Sequence, residues 1–179
     1  MNANEILSGR PKFPKLPNKV DGRIIFEDGS VKRLKEALQQ IRANMSQYSP
    51  DDEPYHQLKQ AEAIYRRFYA GFLKGFLFVQ ACRSEELLWN AFEQQIEWVE
   101  SAEPEFRRIA DESLIQMFAM SEDEKNQEEN FVKQFALAIG WLSGAFKNIV
   151  ENNEFLLDNK KTKELMDRII NNIDGINSL

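Results

Sequence analysis

Two pairs of glycines inside apolar helical stretches constrain this chain more than any other feature. Gly71 and Gly75 lie within Phe68-Tyr69-Ala70-Gly71-Phe72-Leu73-Lys74-Gly75-Phe76-Leu77-Phe78, and Gly140 and Gly144 within Phe135-Ala136-Leu137-Ala138-Ile139-Gly140-Trp141-Leu142-Ser143-Gly144-Ala145-Phe146. Each glycine in a helix interior costs about 0.5–1 kcal/mol relative to alanine, so four cost about 2–4 kcal/mol. That is a large share of a typical net stability of about 5–15 kcal/mol. Close helix–helix contact, a cavity or a partner's backbone must offset it. The expectation is a close crossing of the second and fifth helices at Gly71, Gly75, Gly140 and Gly144, with Phe72, Phe76 and Trp141 packed around it. The alternative is a groove lined by the same residues that accepts a partner helix or an apolar ligand.

Neither segment spans a membrane on this reading. The longer uncharged run, Phe135 to Phe146, has 12 residues, and Lys74 interrupts the other. A spanning helix needs about 20. Only Gly71/Gly140, Phe72/Trp141, Leu73/Leu142 and Gly75/Gly144 align between the two segments, too little for a tandem repeat.

The helical reading extends over most of the chain. From Val31 the apolar positions Leu34, Leu38, Ile41, Met45 and Tyr48 follow at spacings of three and four, with Ser30 as the expected cap. A second helix starts near Pro54 and is apolar nearly all round between Phe68 and Val79, which marks it as central. Ser84-Glu85-Glu86 reads as a new cap, and Ser101 to Pro104 as the next boundary. A fourth helix then runs from Phe106 through Leu114, Met117 and Phe118. Ser121 and Glu124 fit a capping box that starts a fifth helix. A last helix carries Leu165, Met166, Ile169, Ile170 and Ile173 and ends at Gly175. The expected fold is all-α, a compact antiparallel bundle of five or six helices over residues 30–179.

Residues 1–29 read differently. Pro11, Pro14 and Pro17 recur every third residue, which favours an extended, polyproline-like arm. Arg23-Ile24-Ile25-Phe26 between Asp21-Gly22 and Asp28-Gly29 is β-prone, a short strand or hairpin at most. Residues 1–35 hold eight Lys/Arg against four acids, a net +4, and the remaining 15 basic and 25 acidic residues give −10. A basic arm on an acidic body can recognise an acidic partner or lie on its own body. Phe13 and Leu16 are the candidate anchors, with Lys12, Lys15 and Lys19 supplying charge.

Few residues invite chemistry. The single histidine, His56, and the single cysteine, Cys82, cannot make a zinc site or a disulfide framework. Glu86, Glu93, Glu97 and Glu100 share one helix face, the only basis for a carboxylate-based, metal-dependent enzyme. No phosphate-cradling glycine loop and no nucleophile elbow occurs. No catalytic, cofactor or metal residue is therefore assigned. Without a basic start followed by an apolar run, no secretory signal is expected, and the chain is placed in the cytoplasm.

The function expected is that of a non-enzymatic interaction or assembly subunit, an adaptor whose partner is another protein or a second copy. The alternative is a small helical subunit of a nucleoprotein complex. It would contact phosphates through the basic arm and Arg66, Arg67, Arg107 and Arg108, where rings and cations adjoin.

Overall fold

The computed structural model describes residues 2–15, 29–82, 84–112, 116, 119–152, 160, 163–164, 167–168 and 171. Among the described residues five helices have defined bounds: α1 (Ala3–Ser8), α2 (Gly29–Met45), α3 (Glu53–Ala81), α4 (Glu85–Ala110) and α5 (Glu122–Asn152). No strand occurs among the described residues, so the chain is all-α. The β-prone run 23–26, the apolar residues Leu114, Met117 and Phe118, and Leu165, Met166, Ile169, Ile170, Ile173 and Gly175 of the last expected helix lie outside the described residues, while residues 160, 163–164, 167–168 and 171 of that stretch are helical.

Local chemistry explains the helix starts. The Ser84 hydroxyl accepts from Leu87 N–H at 3.3 Å to open α4. Ahead of α5, Ser121 Oγ accepts from Glu124 N–H at 3.2 Å while Glu124 Oε2 accepts from Ser121 N–H at 3.0 Å, a complete capping box. Helix α2 starts at Gly29, one residue ahead of the expected Ser30 cap.

Two boundaries differ from the sequence expectation. The arm is not extended from its start, because Asn2 and Glu5 form a capping box (2.9 and 3.0 Å) that launches the six-residue α1. Nor does Pro104 end a helix: α4 runs through it to Ala110. Proline removes the bond to the Glu100 carbonyl, but both residues are exposed, where water can satisfy that carbonyl. Ala102 and Phe106 are buried against the core on the opposite face, at 0% and 3% exposure, and hold the helix through the defect.

Helices α3 and α5 make the dominant contact of the molecule, and they run parallel. Phe68 lies beside Gly140, Phe72 beside Gly144, and the Phe76 carbonyl accepts from Asn148 Nδ2 at 2.9 Å, so both helices ascend together. The antiparallel bundle expected from sequence is therefore corrected at its centre. Neighbours in sequence do alternate in direction. Arg42 of α2 pairs with Glu62 of α3 while Val31 packs with Phe72 and Phe76. Phe92, Trp98 and Arg108 of α4 meet Trp141, Phe135 and Glu128 of α5 in descending order. Alternation over three helices leaves α3 and α5 pointing the same way, and their glycines make them the closest pair.

The contact is reciprocal. A Cβ on Gly71 would overlap the Leu137 carbonyl oxygen and lie 2.9 Å from Trp141 N. One on Gly75 would overlap the Trp141 carbonyl and lie 2.9 Å from Trp141 Cα. From the other side, Gly140 meets Phe68 (Cα at 2.9 Å) and Gly144 meets Phe72 (Cα at 2.8 Å) in the same way. Each glycine thus faces the carbonyl three residues before the matching glycine of the other helix. Such an approach admits Cα–H···O contacts, worth about 0.5–1 kcal/mol each. The opposing backbone fills the space beside every glycine, so no groove opens at the glycine faces.

This seam separates two aromatic clusters. Phe72 and Phe76 pack on the α2 side with Val31. Trp141 lies on the other side with Phe78 and Phe92 at ring-centroid distances of 5.5 Å each. Among the described residues no helix is long and apolar enough to cross a membrane.

Candidate functional site

The N-terminal segment lies across α4 and α5 as a strap. Ala3 and Ile6 of α1 are buried in the larger core cluster. Two side chains of α4, one turn apart, reach out for strap carbonyls. Trp98 Nε1 donates to Ile6 O at 3.0 Å, and Gln95 Nε2 donates to Pro11 O and Lys12 O at 3.4 and 3.5 Å. Phe13 lies nearly flat on Trp141 of α5, centroids 5.8 Å apart at 13°. The proline-rich chemistry suits this seat: Pro11 and Pro14 carry no N–H to leave unpaired, while their carbonyls remain acceptors.

Arg10 is wedged into the same seat. Its guanidinium stands 4.9 Å from the Phe13 ring centre and 5.8 Å from that of Trp98, and Nη1 donates to Gln134 Oε1 of α5. Burial lowers its pKa from the usual guanidinium value. Its Nε is buried without a hydrogen-bond partner, as is Gln95 Oε1. A cation seated on two rings and an amide, without a carboxylate, is held by cation–π attraction and is short of counter-charge.

Around Phe13 the surface is positive. Lys12 and Lys15 of the strap and Lys74 of α3 are exposed, and Lys74 Nζ stands 6.0 Å from the Phe13 ring centre. Two adjoining open hollows meet at Phe13 and Lys74. Arg10, Lys12 and Leu137 line the first and Pro14 and Lys15 the second, and among the described residues no carboxylate lines either. Lys74 and Arg10 were not singled out in the sequence. Lys74 reads there only as an interruption in an apolar stripe, and nothing local connects it with Phe13, 61 positions earlier. Leu16 and Lys19, the other two arm candidates, lie outside the described residues.

The remaining candidates are dispersed. Arg66 is exposed and Arg67 half-buried on α3, with Arg67 Nε unpartnered. Arg107 pairs with Glu103. Arg108 is enclosed by Glu105 (2.7 Å), Glu112 (2.6 Å) and Glu128 (2.8 Å), so it offers no free cation for a phosphate. Hydrogen bonds, first to Glu105 and then to Glu128, raise the pKa of Arg108. Glu128 is pushed up as well, by burial first and by its hydrogen bond with Glu112, against the lowering effect of Arg108.

The acidic face of α4 is occupied too. Arg168 Nη2 donates to Glu100 Oε2 at 3.1 Å and Nε to Oε1, and Glu97 and Glu93 add to the rise in its pKa that Glu100 causes. Glu86 is exposed one end away. No group of three or more His, Cys, Asp or Glu placed to hold a metal ion occurs among the described residues. His56 is half-buried, edge-on to Tyr55, and the Cys82 thiol donates to Ser84 O at 3.2 Å.

Comparison with protein families, with curated proteins and with solved structures returns no match.

Proposed function

We propose that this chain is a non-enzymatic interaction or assembly subunit, located in the cytoplasm, that recognises another protein through its N-terminal strap. One observation carries the reading. The strap turns Ile6, Arg10 and Phe13 inward while Lys12 and Lys15 stand exposed beside a cleft that no carboxylate of the described residues lines. A fold needs only the inward set; the outward cations serve encounter with something negative. The seating of Phe13 on Trp141 changes its role from a free anchor to the part that holds the basic surface in place.

The nucleoprotein alternative is less well supported. Arg107 and Arg108 are paired with acids, and the chain carries a net charge of −6. A nucleic acid presents a long run of phosphates and demands a correspondingly long basic track.

The test is purification of the tagged full chain from its native host beside the variant Lys12→Glu/Lys15→Glu. A stoichiometric protein that the native chain retains and the variant loses supports the proposal. A partner released by nuclease treatment transfers the reading to the nucleoprotein alternative. If the same proteins stay bound to both forms, the strap is not the recognition element.

A further inference from the structure

We infer that Lys74 of α3 completes, with Arg10, Lys12 and Lys15 of the strap, a docking site for a short acidic peptide segment of another protein, carboxylates flanking one apolar side chain. The inference rests on the proposal that the strap recognises a protein and adds the class of ligand and the residue from the bundle.

Charge complementarity points to the acidic occupant. Four cations converge on the two hollows that meet at Phe13, with no carboxylate among the described residues that line them. Three of them stand exposed, and the fourth, Arg10, has only an amide and two rings for company. An arriving carboxylate supplies the counter-charge the site lacks, in a charge-assisted contact stronger than a neutral one. Leu137 and Phe13 on the floor give one apolar side chain a place between the charges.

The geometry also selects the mode of binding. Strand addition is excluded at Pro11 and Pro14, which have no N–H, and the carbonyls of Pro11 and Lys12 already accept from Gln95. Recognition falls to side chains. Base stacking finds no free ring in the site: Trp141 lies flat against Phe13, and Arg10 and Lys74 stand over it. Beyond the patch the body is acidic, which repels a long polyanion but not a short segment.

The experiment uses the full chain and a short fluorescein-labelled peptide of glutamates around a central leucine, read by fluorescence anisotropy at low ionic strength. Controls are the same peptide with glutamine for glutamate and a single-stranded oligodeoxythymidylate of equal charge. We expect the acidic peptide to bind, the glutamine peptide not to bind, and Lys74→Gln to weaken binding about tenfold. Glutamine removes the charge without adding one for Arg10 to pair with, and Lys74→Glu should weaken binding further. Unchanged circular dichroism and thermal midpoint confirm that the variants fold. If Lys74→Gln binds as the native chain does while Lys12→Glu/Lys15→Glu does not, the strap reading stands and the assigned site falls. Tighter binding of the oligonucleotide, or no binding of the peptide at all, overturns the inference.

Discussion

The α3–α5 seam and the seat of the strap solve opposite packing problems. At the seam two helices come together because side chains are missing, and each backbone fills the gap left by the other's glycines. At the strap a segment mostly without helical hydrogen bonds of its own is held by large side chains: Trp98, Gln95 and Trp141 from the body, Phe13 and Arg10 from the strap. The seam leaves no cation in need of an anion. The strap leaves Arg10 Nε and Gln95 Oε1 buried and unpaired, each costing about 1–3 kcal/mol. The difference separates a contact closed by backbone alone from one that keeps buried polar groups without partners.

The largest expected effect breaks the seam. Alanine for glycine in an exposed helix gains about 1 kcal/mol. Gly75→Ala should instead destabilise by about 3 kcal/mol or more, because the added carbon meets the Trp141 backbone and not a yielding side chain. Chemical denaturation decides, and a variant as stable as the native chain would show that the helices part more easily than described. Gly144→Ala against Phe72 should behave alike.

A smaller effect is expected at the strap. Phe13→Ala removes a half-buried ring and its stack on Trp141, a loss of about 1–2 kcal/mol given that a fully buried Phe→Ala costs about 3–5. Tryptophan fluorescence should change while helical content from α2 to α5 persists. Loss of the whole helical signal would make the strap as essential as the seam and erase the contrast.

The smallest effect concerns the α4–α5 hairpin that carries both regions. Glu128 has a raised pKa in the folded chain. Its stabilising contribution is therefore complete below the ordinary glutamate pKa of the unfolded chain and is lost as pH rises through the raised folded value. Glu128→Gln should flatten that part of the stability–pH profile. At neutral pH it should match or slightly exceed the native chain, by less than about 1 kcal/mol, since Arg108 keeps Glu105 and Glu112. A steeper profile in the variant would mean that Arg108 depends on Glu128 for its position.

The all-α class was legible in the apolar spacing, and the starts of α4 and α5 in Ser84 and in Ser121 with Glu124. Helix α1 was not anticipated: its signal is the two-residue box of Asn2 and Glu5, and the three prolines downstream favour an extended arm. The direction of the central pair was not legible. A Gly-x-x-x-Gly face looks the same whichever way its partner runs, and only the alternation of α3, α4 and α5 fixes it. Pro104 misled because a proline ends a helix by default, and the neighbours that carry it through are tertiary. Lys74 escaped for a related reason, since its membership of the basic patch depends on where Phe13 docks.

One consequence of the parallel pair concerns the order in which the molecule assembles. Residues meeting across the seam are separated by about 70 positions, whereas α4 and α5 meet through an 11-residue connection and α2 and α3 through a 7-residue one. Closing the longer loop costs more chain entropy, and nothing at the seam rewards a partial approach, because its contacts are backbone on backbone. The hairpins are the cheap contacts and the seam the late one. A glycine substitution there should therefore appear mainly as faster unfolding, with the refolding rate nearly unchanged.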